Sequence, residues 1–267
     1  MRLLFILLAV AFISTGQNAR AQKISSPLNP VKGPEPEQAG LVVGFGQNYQ
    51  SGSFLVECED CLFEGGVGFG WTFGGIYEKQ FTEGLRYGAM LMLEGKGIES
   101  TFQEHEPVEV NSEATGQPET VNILFRHTGE VSATALTALP FVKWAPSDYF
   151  FVKLGPTFSY VMSAGIKHTK ELMQETVRLS TGEVYDLSGV DGSNSMVVED
   201  GDFPEVNALQ IGLSPMVGLN IPASEDVFLS FVYQHVVPLN NFSEYGEDFK
   251  IGSWRILFEL RFRLNED

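Results

Sequence analysis

The residues with the clearest chemical potential are Cys58 and Cys61, the only cysteines of the chain, which form a C-x-x-C sequence. A reactive thiolate needs a lowered pKa, which neighbouring cations or a helix N-terminus provide. Here Glu57, Glu59 and Asp60 flank the pair and oppose thiolate formation. A structural zinc ion takes four ligands, and a single cysteine pair supplies two of them. We therefore predict a structural disulfide between Cys58 and Cys61, formed in an oxidising compartment.

Two segments are rich in carboxylates. Residues 97–122 hold six glutamates and neither lysine nor arginine, and residues 190–206 hold five acidic side chains. Calcium binds clustered carboxylates, but neither segment has the ligand spacing of a known calcium loop. We interpret both segments as solvated, repulsive surface. No metal site and no cofactor are predicted.

The four histidines, His105, His127, His168 and His235, show no pattern typical of catalysis. No nucleophile-elbow motif occurs, and Ser230 lies at the opposite parity to His235, so the two would face opposite sides of one strand. The sequence therefore predicts no catalytic residues and no enzyme. One alternative stays open: a membrane-embedded, lipid-modifying enzyme, which would need His, Ser or acidic residues to converge at the outer rim.

The remaining charged residues follow a period of two, most clearly from Trp254 to Leu264. One face of this segment is apolar, comprising Trp254, Ile256, Phe258, Leu260, Phe262 and Leu264. The other face carries Arg255, Leu257, Glu259, Arg261 and Arg263. Strict alternation over this length predicts a β-strand.

Similar alternation occurs in residues 41–49, 67–78, 85–94, 150–160, 209–220 and 229–234. Residues 131–144 are predicted to form an eighth strand, and which of its faces points inward stays open because both faces mix polar and apolar residues. Short turns at 81–84, 145–148 and 223–226 alternate with long polar segments at roughly 50–65, 97–122, 165–206 and 239–250. Short turns at one end and long loops at the other are typical of outer-membrane barrels. The predicted fold is an all-β, eight-stranded, antiparallel up-and-down transmembrane β-barrel with short periplasmic turns and long extracellular loops.

A membrane-spanning sheet must close on itself because lipid offers no hydrogen bonds to the backbone. An eight-stranded barrel is narrow enough for side chains to fill. We expect a salt-bridged lumen, not a diffusion pore, built from Glu78, Arg86, Glu94, Lys153, Arg255, Glu259, Arg261 and Arg263. The alternative is a secreted, lipocalin-like ligand-binding barrel, which would place its apolar face inside.

The first 21 residues are typical of a secretory signal peptide, with a basic start, an apolar run from Leu3 to Ile13 and the ending Ala19-Arg20-Ala21. Four prolines in residues 22–38 indicate an extended periplasmic tether, which leaves residues 39–267 for the barrel. The formal net charge of −17 disfavours nucleic acid as a partner, because phosphate binding needs a basic surface.

The stretch Gly44-Phe45-Gly46-Gln47-Asn48-Tyr49, followed by Ser51-Gly52-Ser53-Phe54, Cys58, Cys61 and Gly65-Gly66-Val67-Gly68-Phe69-Gly70, resembles the opening of outer-membrane β-barrels from the Bacteroidota and Chlorobiota. The plan is also similar to the OmpA transmembrane domain. The resemblance implies a protein of the Gram-negative cell envelope that contacts outer-membrane lipids and is inserted by the barrel assembly machinery. Its expected role is structural, adhesive or in assembly, through acidic surface loops that meet an unidentified surface or envelope protein.

Overall fold

The computed structural model describes residues 37–264 except 57, 113–114, 188–193 and 225, and it does not describe the side chains of 56–61 and 222. The predicted signal peptide, residues 1–21, and nearly all of the predicted tether lie outside the described residues. Within the described part, no helix is long and apolar enough to cross a membrane.

Twelve strands make up the described fold: β1 (Gln38–Val56), β2 (Cys58–Glu64), β3 (Val67–Thr82), β4 (Leu85–Asn111), β5 (Pro118–Trp144), β6 (Phe150–Leu172), β7 (Thr176–Arg178), β8 (Val184–Asp186), β9 (Ser195–Asp202), β10 (Leu209–Pro222), β11 (Val227–Pro238) and β12 (Gly246–Arg263).

Eight of these strands close into a ring in the order β1-β3-β4-β5-β6-β10-β11-β12. All pairings are antiparallel, and β12 returns to β1 with the register Gln38↔Arg263 to Phe54↔Gly246. The remaining junction is between β6 and β10, from Leu209↔Tyr160 to Leu219↔Phe150. The predicted all-β, antiparallel fold with eight principal strands is confirmed.

One end of the ring, called here the turn end, carries the short connections β3–β4, β5–β6 and β10–β11 and the first and last strand residues. Gly84 supplies the left-handed backbone that the β3–β4 turn requires, with φ +74°. The positions of these short turns agree with the sequence prediction.

At the opposite end, strands continue where the sequence predicted long loops. β4 and β5 pair without interruption from Leu85↔Trp144 to Asn111↔Pro118, so most of the predicted loop 97–122 is a hairpin. Each strand of this hairpin has 27 residues, which corresponds to about 90 Å at roughly 3.3 Å per residue. The predicted loop 165–206 likewise contains the end of β6, the β7–β8 hairpin and β9, which pairs with β6. We call the described residues of 98–131 and 166–202 the extension.

Three buried clusters follow one another along this structure. The first fills the ring and includes Leu139, Phe141 and Phe151. The second lies where the ring meets the extension and contains five phenylalanines, which we call the cap: Phe54, Phe63, Phe203, Phe242 and Phe249. The third, at the tip of the extension, joins the β4–β5 hairpin to Leu179 beside the β7–β8 hairpin.

Candidate functional site: a filled lumen and an ordered extension

The two faces of the ring differ in polarity. Apolar side chains point outward and stay exposed, as shown by Leu41 (54 %), Phe73 (57 %) and Leu91 (57 %). Charged side chains point inward and are fully buried, as shown by Arg255 and Glu259 (0 % each). On β12 the large residues Phe258, Leu260 and Phe262 lie outward between these buried charges. The ring is therefore apolar outside, and its interior combines buried charges with the apolar cluster of Leu139, Phe141 and Phe151.

A first ion-pair cluster lies near the turn end and centres on Glu78. Its carboxylate contacts Lys153 Nζ at 2.8 Å, Lys143 Nζ at 3.0 Å and Arg261 NH1 at 2.7 Å, with Arg86 Nε at 3.6 Å. Glu259 is the second acid of the cluster and contacts Lys153 Nζ at 2.8 Å and Arg261 Nε at 3.5 Å. Five strands contribute these side chains, so the cluster ties opposite sides of the ring together.

Four cations meet only two carboxylates in this cluster, and aromatic rings help to stabilise the surplus. Lys143 Nζ lies 4.2 Å from the centre of the Phe151 ring, and Lys153 Nζ lies 4.6 Å from that of Phe141. Such cation–π contacts strengthen when water is excluded. Gly218 makes room for Phe151, because a Cβ at that position would lie 2.3 Å from the phenyl ring.

A second cluster lies closer to the extension and centres on Glu94. Arg255 NH1 contacts the Glu94 carboxylate at 2.5 Å, and Lys96 Nζ lies 3.8 Å from it. The other Arg255 nitrogen, NH2, donates to Asn48 Oδ1 at 3.2 Å. Thr137 also donates to Glu94. Charged groups buried in this way need such partners to offset their desolvation.

Seven of the eight predicted lumen residues are buried on the inward face: Glu78, Arg86, Glu94, Lys153, Arg255, Glu259 and Arg261. Arg263 departs from the prediction. It is the last residue of β12, so its half-buried side chain leaves the ring and lies 3.8 Å from Asp226, beside the β10–β11 turn. Sequence reasoning missed Lys96 and Lys143, although Lys96 shares the parity of Glu94 and could have been found by that signal.

The polarity of the outer face changes where the ring becomes the extension. On β4 the outward residues change from Leu91 to Glu99 and Gln103, while the inward face becomes apolar with Ile98 and Phe102. The outer faces of β5 and β6 also become polar, from Leu136 to Glu130 on β5 and from Tyr160 to Lys167 on β6. On β5 the outward apolar stretch runs from Leu136 to Trp144. At roughly 3.3 Å per residue and a strand tilt near 40°, it extends about 23 Å along the barrel axis. This height is close to the ~25 Å apolar band of outer-membrane barrels.

Exposed aromatic residues border this apolar belt. Two tryptophans and four tyrosines point outward: Trp71, Tyr77, Tyr87, Tyr160, Tyr233 and Trp254. Near the extension end, the Trp71 indole lies flat over Gly95, where a Cβ would come within 2.0 Å of Nε1. Tyr49 stacks on His235 there, with 5.8 Å between ring centres. Aromatic girdles at both water interfaces are typical of transmembrane barrels.

The histidines separate into two groups. His127 and His168 are buried inside the extension, where His127 Nδ1 and His168 Nε2 lie 3.0 Å apart. His105 is exposed on the outer face of β4, and His235 lies on the outer face of β11. No serine is seen to bond either buried imidazole among the described contacts, and no group of three or more His, Cys, Asp or Glu in the described residues is arranged to hold a metal ion.

The predicted disulfide cannot be located, because the side chains of Cys58 and Cys61 lie outside the described part of the structure. Their backbone belongs to β2, which pairs with the end of β1. The pairing Cys58–Cys61 stays a prediction.

No protein-family model and no curated protein sequence match the chain. Among solved structures, the chain is similar to Ail, the attachment invasion locus protein of Yersinia pestis, with 13 % identity over 85 % of this chain and 99 % of Ail and a TM-score of 0.31. It is similar to the outer membrane protease OmpT from Escherichia coli, with 11 % identity over 86 % and 97 % and a TM-score of 0.26.

A third match is a FadL homologue from Pseudomonas aeruginosa, with 7 % identity over 86 % of this chain and 91 % of that one and a TM-score of 0.21. Scores this low assign no activity, ligand or location to the chain. The resemblance to Bacteroidota and Chlorobiota barrels and to OmpA stays a prediction.

Proposed function

We propose that the protein is a transmembrane β-barrel of the outer membrane whose filled lumen anchors a rigid extracellular extension. The reversal of polarity between the ring and the extension carries this proposal. An apolar outer face suits hydrocarbon, and the reversed arrangement above it suits water. A ring without free edges satisfies its own backbone hydrogen bonds, as lipid requires.

The buried ion pairs support a role without transport. The two ion-pair clusters, the apolar cluster of Leu139, Phe141 and Phe151, and the cap fill the ring from the turn end to the extension. A secreted carrier barrel would need an apolar interior with space for a ligand, whereas this interior holds Glu78, Glu94, Glu259 and their cations. We therefore favour a structural, adhesive or assembly role over a ligand carrier or an enzyme.

The extension is the part through which such a role would act. Its β4–β5 hairpin presents Glu99, Gln103, Glu109 and Glu130 on the outer face. A paired hairpin already holds these groups in position. Binding of a partner on the surface or in the envelope therefore costs less conformational entropy than binding through a disordered loop would. Export by the signal peptide and insertion by the barrel assembly machinery complete the proposal.

The test is fractionation of expressing cells combined with gel mobility. We expect the protein in the outer-membrane fraction, with faster migration in detergent gels before boiling than after it, since a closed barrel keeps its compact form in cold detergent. Recovery in the soluble periplasmic or culture fraction, with one mobility before and after boiling, would contradict a membrane barrel.

A further inference from the structure

A hydrogen-bonded chain of side chains crosses the extension from β4 to β6. Glu106 on β4 contacts His127 Nε2 on β5 through Oε1 at 3.0 Å. His127 Nδ1 in turn lies 3.0 Å from His168 Nε2 on β6. Lys170, also on β6, donates to the other oxygen of Glu106. Three strands are therefore joined by side chains at a level where they have left the ring.

The positions of the protons follow from the partners. A carboxylate only accepts hydrogen bonds, so His127 Nε2 carries the proton that faces Glu106. His127 Nδ1 then holds a lone pair and accepts from the Nε2–H of His168. The His127–His168 hydrogen bond is lost when both imidazoles are protonated, because each ring would then place an N–H against the other across 3.0 Å.

Aromatic rings cover both imidazoles and keep water from an added charge. Phe102 stacks on His127 with 4.7 Å between ring centres, and Phe63 meets His168 edge-on at 5.5 Å. The charged groups that face the pair are two acids from β4, Lys170 from β6 and one acid from β9, namely Glu104, Glu106 and Glu199. Glu199 is the cross-strand neighbour of His168, and its Oε2 is buried without a hydrogen-bond partner among the described residues.

We propose that the Glu106–His127–His168 chain is an acid-labile latch, which holds β6 and β9 on the β4–β5 hairpin at neutral pH and releases them when the imidazoles are protonated. The ring stays folded, because its ion pairs do not involve histidine. The latch is a property of the extension and does not depend on the proposed membrane location.

The direction of the pH effect agrees with this geometry. Burial, with repulsion from His127 and Lys170, lowers the pKa of His168 from 6.5 to about 4, and burial also lowers the pKa of His127. An opened extension binds the proton more readily than the closed one. The free energy that keeps the latch closed is therefore at its maximum above pH 6.5 and decreases as the pH falls from 6.5 towards 4.

Hydrogen exchange of the full chain in detergent micelles tests the latch. We compare the protection of backbone amides at pH 7 and pH 4.5 after correction for the intrinsic exchange rate. Protection in residues 165–172 and 195–202 should fall about tenfold or more relative to β10 and β12 of the ring. The double variant His127→Gln/His168→Gln can still donate and accept along the chain from Glu106 but has no titrating imidazole there, so its fall should be less than about twofold. His105→Gln, on the exposed face of β4, is the matched control and should behave as the unchanged protein.

Histidine NMR titration of the same samples provides a second measurement. His168 should titrate below pH 6.5, and Lys170→Met should raise its midpoint by removing a nearby cation. A His168 midpoint above 6.5 would overturn the proposal, because it would mean that Glu199 accepts the new N–H and acid tightens the extension. An undiminished acid response in His127→Gln/His168→Gln would overturn it equally, since a group outside the latch would then be the sensor.

Discussion

At the residue scale, Glu78 is the side chain on which the lumen depends most. It lies between Lys143, Lys153 and Arg261, within 3.0 Å of each. An uncompensated buried charge is far more costly than a missing apolar contact, because its desolvation is no longer offset. The second acid of this cluster, Glu259, cannot compensate four cations alone.

We expect Glu78→Gln to reduce the free energy of unfolding by about 3–5 kcal/mol, as for one partner removed from a buried ion pair. Denaturant titration in micelles, followed by the boiled and unboiled gel mobility, measures this loss. The matched control is Arg263→Gln, whose half-exposed pair with Asp226 spans 3.8 Å and contributes roughly 0–1 kcal/mol. Equal losses in both variants would contradict a central role for Glu78.

Gly95 gives a second prediction at this scale. A Cβ there would lie 2.0 Å from the Trp71 indole nitrogen, so Gly95→Ala must displace the ring at a cost of about 1–3 kcal/mol. Tryptophan emission should shift together with the thermal midpoint. Gly97→Ala serves as the control, since the nearest atom to its Cβ is 3.6 Å away. No change in emission for Gly95→Ala would show that the indole does not rest on this glycine.

At the element scale, a single strand changes the polarity of its outer face along its length. β4 carries Leu91 outward in the ring and Gln103 outward in the extension. The alternation itself continues, but the apolar side moves from outside to inside. Reading the polar outer residues of 97–122 as a loop missed the strand, because Ile98, Phe102, Val108 and Val110 keep the period of two on the other face.

This reversal predicts that arginine on the outer face lowers stability in the ring and leaves it nearly unchanged in the extension. Leu91→Arg should cost about 2–4 kcal/mol in a bilayer, because the guanidinium would face hydrocarbon near the midplane. Gln103→Arg, on the same face of the same strand, should change stability by less than about 0.5 kcal/mol. Unfolding from lipid vesicles distinguishes the two. A neutral Leu91→Arg would indicate that this face of the ring meets water.

At the scale of the whole molecule, closure and filling occur together. The ring brings acids of β3, β4 and β12 to cations of β4, β5, β6 and β12. The cap lies over these ion pairs at the extension end of the ring. These layers leave the interior packed with side chains.

A filled interior predicts little ion flow. In planar bilayers we expect no stable, large single-channel conductance from the purified protein, while an open porin in the same bilayers provides the positive control. Long-lived conductance steps that scale with protein concentration would show that the lumen opens, and would replace the structural role by a transport role.

The sequence by itself determined the period of two, hence the eight ring strands, the facing of seven of them and seven of the lumen charges, because alternation fixes which side chains share a face. It left the facing of 131–144 open, so Lys143 was missed, and it placed Arg263 inside because parity ignores where a strand ends. Only the tertiary structure decided which charges meet. Glu106, His127 and His168 lie far apart in the chain, and they form one hydrogen-bonded chain because the register of β4, β5 and β6 aligns them above the ring.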